Sequence, residues 1–189
     1  MTIRAFIAIE LPPEIHRRLA DVQHRFKPLF SQSRVTWVKP ENIHLTLKFF
    51  GDIQPSMVET IEKACQNLQT HSVFSLSLQS LGYFPNAKNP KVFWCGYDAS
   101  DELNRLHLQL ENDLLSLGFT KEEREFSPHL TLARFKELHS HDREALASAV
   151  EFDLAAMTHT VDALTLFQSR LTPNGSIYSP LKKFPLKQN

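Results

Sequence analysis

The chain has 189 residues, enough for one large domain or two small lobes with a hydrophobic core. Its 21 Lys and Arg residues balance 21 Asp and Glu residues, so there is no overall positive field to hold a nucleic acid, and a phosphate would need a local pocket. Two cysteines exclude a disulfide framework, and the five glycines form none of the phosphate-binding loops of P-loop NTPases or dinucleotide-binding enzymes.

The sequence contains no membrane or export signal. No stretch approaches the roughly 18 uninterrupted apolar residues of a membrane-spanning helix, and the apolar run at 5–9 is broken by Glu10. We therefore expect no membrane association and a cytoplasmic location. A reducing compartment is also where Cys65 and Cys95 would stay unpaired.

Strand and helix patterns alternate through the first part of the chain. Apolar residues recur every three or four positions after Pro12 and Pro13, where proline favours the first turn of a helix. From Ile43 to Phe50 they alternate with other residues, which is typical of a strand. In chain order, the predicted elements are a strand at 4–9, a helix from 14 to 26, strands at 35–38 and 43–50, a helix from 55 to 68 and a strand at 73–81.

A loop at 82–90 leads into the second part of the chain, which has the same alternation. The predicted elements are a strand at 92–97, a helix at 102–117, a strand at 129–135, a helix at 143–150 and strands at 161–169 and 177–181. The last two are joined by the turn sequence Pro173-Asn174-Gly175. Because the strands show a period of two residues, as half-exposed antiparallel sheets do, the predicted fold class is α+β.

One four-residue motif occurs twice, as His44-Leu45-Thr46-Leu47 and His129-Leu130-Thr131-Leu132, 85 residues apart. On a strand, residues i and i+2 point to the same face. Each motif therefore presents one imidazole beside one hydroxyl, while its leucines face a core. If the two parts of the chain pack about a pseudo-two-fold axis, the two faces meet across a cleft.

A single copy of this motif is more often an ordinary strand than a catalytic site, but two identical copies favour a shared function. A neutral histidine can accept a proton while a protonated one donates, both near neutral pH. Two threonine hydroxyls add donors for the oxygens of a phosphoryl group. The pair therefore predicts phosphodiester chemistry without a metal.

The two motifs, with the sequence around them, carry a resemblance to a known family. The chain resembles the 2H phosphoesterase superfamily and, within it, the bacterial and archaeal RNA 2′,3′-cyclic phosphodiesterases, also called 2′-5′ RNA ligases. The resemblance spans nearly the whole chain, and its main stretches are 4–12, 42–51, 92–96, 126–134 and 169–175, followed by Tyr178 and Leu181.

The resemblance implies a single bilobal domain over residues 1–189. Two ferredoxin-like lobes of antiparallel sheet with helices would enclose a central cleft about a pseudo-two-fold axis, with one motif strand, 43–50 or 129–135, in each lobe. It also implies that the reaction uses no metal and no other cofactor. The expected substrate is RNA with a 2′,3′-cyclic phosphate end or a related nucleotide, and we expect a monomer.

The resemblance also implies the roles of the motif residues. In hydrolysis to a 2′-phosphate, His129 would be the proton acceptor and His44 the proton donor. Thr46 and Thr131 would bind the phosphate. With an RNA 5′-hydroxyl in place of water, the same site would form a 2′-5′ linkage reversibly.

Four further residues are candidates for substrate binding. Arg134 falls where the family has a phosphate-binding arginine, although an offset of five residues from His129 places it on the other face of a regular strand. Phe6, Phe84 and Trp94 could stack on a base, although a chain with 14 phenylalanines needs most of its aromatic residues for its core.

Two other functions are compatible with the sequence. A small-molecule member of the same superfamily would act on a cyclic phosphate of a nucleotide or of ADP-ribose. A non-catalytic module would bind RNA or nucleotides without turnover, but binding alone does not need two proton-transfer groups. The pair His139 and His141 lies in a predicted loop without a third ligand, so we interpret it as solvated.

Overall fold

The computed structural model describes residues 1–86, 88–98, 100–152, 154, 157–173 and 175–188. The strands in this part of the chain are β1 (Ile3–Ile9), β2 (Arg34–Trp37), β3 (Leu45–Ile53), β4 (Phe74–Phe84), β5 (Val92–Tyr97), β6 (His129–Glu137), β7 (Thr158–Val161), β8 (Ala163–Thr172) and β9 (Gly175–Pro185). The helices are α1 (Pro13–Phe26), α2 (Met57–Cys65), α3 (Asp101–Leu115) and α4 (Arg143–Val150). Short 3-10 turns lie at Lys27–Phe30, Pro40–Asn42, Gln66–Thr70 and Ser140–Asp142. The predicted α+β class is confirmed.

Three of the differences from the predicted bounds affect the sheet near the motif strands and at its edges. β3 begins at Leu45, so His44 immediately precedes the strand. β4 continues through 82–84, where we predicted a loop, because Gly82 gives room to the indole of Trp94, with which a Cβ would collide. The predicted strand at 161–169 is two strands separated by Asp162, since β7 pairs with β4 and β8 pairs with β1. Asn174, in the predicted turn, lies outside the described residues.

The named strands join into one antiparallel sheet in the order β7-β4-β5-β6-β3-β1-β8-β9, with β2 beside β6. We call β3, β1, β8 and β9 the first half-sheet, and β6, β5, β4, β7 and β2 the second half-sheet. The two are joined at one registered pair, Leu45 with Leu130, between β3 and β6. The motif strands are therefore the innermost strand of each half-sheet. Apart from β2, the strand order is symmetric about their junction.

Two connecting helices, α1 and α3, pack on the half-sheet opposite to the one whose strands they connect. α1, between β1 and β3, packs on the second half-sheet, where the rings of Phe26 and Phe93 are 5.6 Å apart. α3, between β5 and β6, packs on the first half-sheet, where Glu111 forms a buried ion pair of 2.8 Å with Lys48 of β3. A single apolar core therefore runs beneath both half-sheets.

Local sequence explains where these two helices begin and which face they bury. Proline occupies the first turn of α1, and the periodic apolar residues of that helix are buried: Ile15, Leu19, Val22 and Phe26. The hydroxyl of Ser100 accepts a hydrogen bond of 3.1 Å from the backbone N–H of Leu103, which caps α3.

Both cysteines are free and buried, Cys65 in α2 and Cys95 in β5. Burial raises the pKa of each thiol to about 12, so both stay protonated at neutral pH. No helix in the described ranges is both long and apolar enough to cross a membrane.

Candidate active site

The two motif strands line one cleft of about 830 Å³ at the junction of the half-sheets. His44, Thr46, His129 and Thr131 all border it. Their arrangement follows from the pairing of the two central motif leucines. Continued by one residue in each direction, that antiparallel register sets each histidine across from the threonine of the other motif. The structure therefore brings together the four side chains that the sequence singled out.

Each motif strand carries a β-bulge directly after its threonine. The register of β3 with β1 skips Leu47, and the register of β6 with β5 skips Leu132. One extra residue reverses the alternation of the strand, so the residue five positions after each histidine faces the cleft. These two residues are Phe49 and Arg134, and both line the cleft. The bulge explains how Arg134 reaches the motif face despite its odd offset.

A polar side chain from the crossing helix binds the backbone at each bulge. The amide of Gln23, in α1, donates hydrogen bonds to the carbonyls of Leu132 at 2.9 Å and Val38 at 2.7 Å. His107, in α3, hydrogen-bonds to the backbone of Leu47. An unpaired buried backbone group would be costly, so these contacts stabilise the two bulges.

Each motif histidine is held by the backbone carbonyl two residues before it. The Nδ1–H of His44 donates to the carbonyl of Asn42 at 2.8 Å, and that of His129 donates to the carbonyl of Ser127 at 2.7 Å. A carbonyl can only accept, so in this geometry Nδ1 carries a proton in both charge states. Nε2 is therefore the atom that gains and loses a proton in both rings.

Burial lowers the pKa of both histidines below the usual 6.5, because the charged imidazolium loses solvation. The carbonyl hydrogen bond to each ring acts in the opposite direction. A nearby charge lowers the pKa further in both cases: His16 beside His44, and Arg134 beside His129. The two neighbouring groups differ in chemistry, because Arg134 is a guanidinium and His16 is a second imidazole.

The three aromatic candidates lie against the histidines or beside them. Phe6 is buried and stacks on His44, with ring centroids 4.7 Å apart and an angle of 25° between the planes. Phe84 meets His129 edge-on, at 4.8 Å and 83°. Trp94 packs on Phe84 at 5.0 Å and borders a second cavity of about 410 Å³. Phe6 borders the main cleft, but Phe84 and Trp94 do not.

The cleft wall contains cations but no carboxylate among the described residues that line it. Its basic residues, besides the histidines, are Arg4, Lys39 and Arg134. Thr46 is exposed to the cleft and Thr131 is half-buried. A chain with no net charge therefore has a locally positive cleft, as the composition required of any phosphate site.

Sequence reasoning missed several residues that lie in or beside the cleft. Asn42 and Ser127 orient the histidines through their carbonyls, and their common offset of two residues was a signal in the sequence. Tyr178 meets His44 edge-on at 5.1 Å. No local sequence pattern indicates Arg4 or Phe49 as cleft residues. Phe49 reaches the cleft face only because of the bulge in β3.

The pair His139 and His141 lies at a 3-10 turn away from the cleft. The backbone N–H of His141 donates to Nδ1 of His139 at 3.3 Å. In the part of the chain that the structure describes, no three His, Cys, Asp or Glu residues are grouped as ligands for a metal ion.

Comparison with known proteins gives consistent matches. The family model described as LigT like Phosphoesterase matches residues 9–94 and 97–178. The chain is 31% identical to the RNA 2′,3′-cyclic phosphodiesterase of Methanothermobacter thermautotrophicus, over 98% of this chain and 100% of that protein. It is 34% identical to the protein of the same name from Thermotoga maritima, over 95% of this chain and 93% of that protein.

Solved structures agree with the sequence matches. A crystal structure of a Thermus thermophilus protein superimposes with a TM-score of 0.84 at 27% identity, covering 98% of this chain and 99% of that one. The Escherichia coli LigT structure with 3′-AMP shares the fold, with a TM-score of 0.79 at 24% identity and full coverage of both chains. The sequence, the paired motifs and the fold agree, and the chain belongs to the LigT-like phosphoesterase family.

Proposed function

We propose that this protein hydrolyses the 2′,3′-cyclic phosphate ends of RNA by a two-histidine mechanism. The observation that carries the proposal is the junction of the two motif strands, which lines one positive cleft with two histidines and two threonines. The names of the relatives, RNA 2′,3′-cyclic phosphodiesterases at 31% and 34% identity over nearly the whole chain, support the substrate class.

The proton transfers run through the two Nε2 atoms. Nε2 of His129 takes a proton from water as the water oxygen attacks phosphorus. The bond from phosphorus to the ribose 3′-oxygen breaks, and His44 gives its proton to that oxygen. The product is a 2′-phosphate with a free 3′-hydroxyl, and the histidines have exchanged protonation states.

The assignment of His129 as the base is supported by its neighbour. The guanidinium of Arg134 lowers the pKa of His129 at every working pH, which favours the neutral ring that a base requires. The corresponding neighbour of His44 is a second imidazole, His16, and not a guanidinium.

The phosphoryl oxygens need donors while charge develops on them. The hydroxyls of Thr46 and Thr131 stand beside the histidines on the same face, and Arg134 follows on that face after the bulge. We assign these three residues to the non-bridging oxygens. Hydrogen bonds to a charged group are worth roughly 1.5–3 kcal/mol each.

The same geometry accommodates ligation. If the 5′-hydroxyl of a second RNA replaces water, the attack forms a 2′-5′ linkage and releases the 3′-hydroxyl. By microscopic reversibility, the same two histidines then cleave that linkage with their roles exchanged. Ligation is therefore a proposed secondary activity of the site.

We further propose a cytoplasmic monomer. Two free, buried cysteines fit a reducing compartment. The monomer stays a prediction, which the mass of the protein in solution tests by light scattering.

Incubation with nucleoside 2′,3′-cyclic phosphates and with RNA that ends in a 2′,3′-cyclic phosphate, with and without EDTA, tests the proposal. We expect both substrates to be converted to 2′-phosphates, identified by phosphorus NMR, at rates that the chelator does not change. His24→Ala provides a matched control, because His24 is exposed on α1 outside the cleft. Binding without turnover would indicate the non-catalytic module. Turnover of small cyclic phosphates but not of RNA ends would indicate the small-molecule enzyme.

A further inference from the structure

The position five residues after His44 holds an exposed aromatic ring in the cleft wall. Phe49 is 48% exposed, an unusual state for phenylalanine in this chain, and it borders the cleft. It occupies the place that corresponds to Arg134 in the other half-sheet. The bulges at Leu47 and Leu132 bring both positions to the cleft face. The repeat therefore gives an arginine on one side and a phenylalanine on the other.

A second guanidinium is held over that ring. The guanidinium carbon of Arg4, on the neighbouring strand β1, lies 4.6 Å from the centroid of Phe49. Such cation–π contacts orient a cation and leave its outer N–H groups available. Arg4 makes no ion pair within the described residues, even with Asp52, its register partner on β3. The ring of Phe49 thus positions the guanidinium of Arg4, and no carboxylate of the described residues lies within ion-pair distance of it.

Arg4 lies farther along the cleft from the reacting phosphate than Arg134 does. Its register partner Asp52 follows Thr46 by six residues, whereas Arg134 follows Thr131 by three. The reacting phosphoryl group sits between the two histidines, where Thr46, Thr131 and Arg134 supply donors. A positive group farther along a cleft whose described lining residues include no carboxylate fits another negative charge of the same substrate.

We propose that Arg4, held by Phe49, binds a phosphodiester of the RNA chain upstream of the cyclic end, with Phe49 offering its exposed surface to a base. This inference rests on the proposed function and adds the feature of the substrate that is recognised. A ribose with a 2′,3′-cyclic phosphate can continue only in the 5′ direction, so the second phosphate must be an upstream one. The site thereby selects RNA ends over cyclic mononucleotides.

Substrates of increasing length test the inference. The substrates are a nucleoside 2′,3′-cyclic phosphate and the di- and trinucleotides that end in the same group. Arg4→Gln removes the charge at similar length, and Arg17→Gln makes the same change at an exposed position of α1 outside the cleft. We expect Arg4→Gln to change kcat/KM on the mononucleotide less than twofold and to lower it about tenfold on the longer substrates. Arg17→Gln should leave every value near that of the wild type.

The salt dependence provides a second readout. One phosphate contact on single-stranded RNA contributes a slope of about −0.7 in log affinity against log salt. For the trinucleotide, Arg4→Gln should make the slope of log kcat/KM shallower by about that amount. Phe49→Leu keeps the charge but loses the cation–π contact, so we expect a smaller, length-dependent loss.

Each outcome decides between the two proposals. An equal loss on all three substrates, or no loss on any, would overturn the role of Arg4 at an upstream phosphate while leaving the proposed function intact. The same holds if Arg17→Gln matches Arg4→Gln, since bulk charge would then explain both. If the wild type hydrolyses none of the three substrates, the proposed function itself fails.

Discussion

The two half-sheets are built to one plan but differ in what they place beside the histidine. In both, a motif strand pairs at its central leucine, bulges after its threonine and holds its histidine by a carbonyl two residues earlier. In the first half-sheet, Phe6 stacks on His44, and Phe49 is the fifth residue after that histidine. In the second half-sheet, Phe84 contacts His129 edge-on, and Arg134 is the fifth residue after it. The backbone arrangement is repeated in both half-sheets. The side chains around the two histidines differ, and this difference is the basis for the unequal roles proposed for His44 and His129.

The largest expected effect tests whether both halves are needed. His44→Ala and His129→Ala should each lower kcat on a 2′,3′-cyclic phosphate by roughly 10²–10⁴-fold, because each removes a group that transfers a proton. Melting temperature and circular dichroism check that the fold is kept. If one of the two variants works at nearly the normal rate, the halves do not share one reaction.

The threonines test whether the halves bind the phosphate equally. Thr46→Val and Thr131→Val keep the strand shape but remove one donor each, worth roughly 1.5–3 kcal/mol, or about 10–150-fold in kcat/KM. The double variant should lose close to the product of the two factors if the donors act independently. A loss as large as that of the histidine variants would show that a threonine does more than bind.

The pH dependence tests the pairing of one neutral and one protonated histidine. Both pKa values are lowered from 6.5, so the singly protonated pair is populated on the acidic side of that value. We expect kcat/KM to follow a bell with its maximum below pH 6.5 and to fall as the second proton is lost. EDTA should leave the curve unchanged. A plateau at high pH, or collapse with chelator, would indicate metal-activated hydroxide instead.

The smallest effect concerns the charges that make the two histidines unequal. Arg134→Gln should raise the pKa of His129, since it removes a cation that lowers it, and should leave the pKa of His44 in place. His16→Gln should do the reverse and raise only the pKa of His44. NMR titration of the two ring signals measures both. Equal movement of the two pKa values in either variant would mean that the histidines titrate as one coupled unit.

The repeated features were the ones that sequence alone could predict. The identical motifs predicted the facing histidines and threonines, and the two-residue period of the strands predicted the α+β class, because strand periodicity and side-chain chemistry are local properties. The α1 helix was predicted nearly to its bounds, since its apolar stripe ends at Phe26.

The features that break the pattern depend on tertiary contacts. The bulges after the threonines arise from the pairing of β3 with β1 and of β6 with β5, so the sequence could not show that Phe49 reaches the cleft. The division of the strand at Asp162 reflects pairing with opposite half-sheets. The cation–π contact of Arg4 joins residues 45 positions apart in sequence, and nothing local indicates it.

The crossing of α1 and α3 has a consequence for folding. Each half-sheet has an apolar face that packs against a helix connecting strands of the other half-sheet, as with Phe26 on Phe93. A cut within residues 85–91 would separate α1 from β5 and β6, α3 from β1 and β3, and β8 from β1, so we expect neither fragment to be stable alone. The two parts should unfold in a single cooperative transition, which calorimetry would show as equal calorimetric and van't Hoff enthalpies.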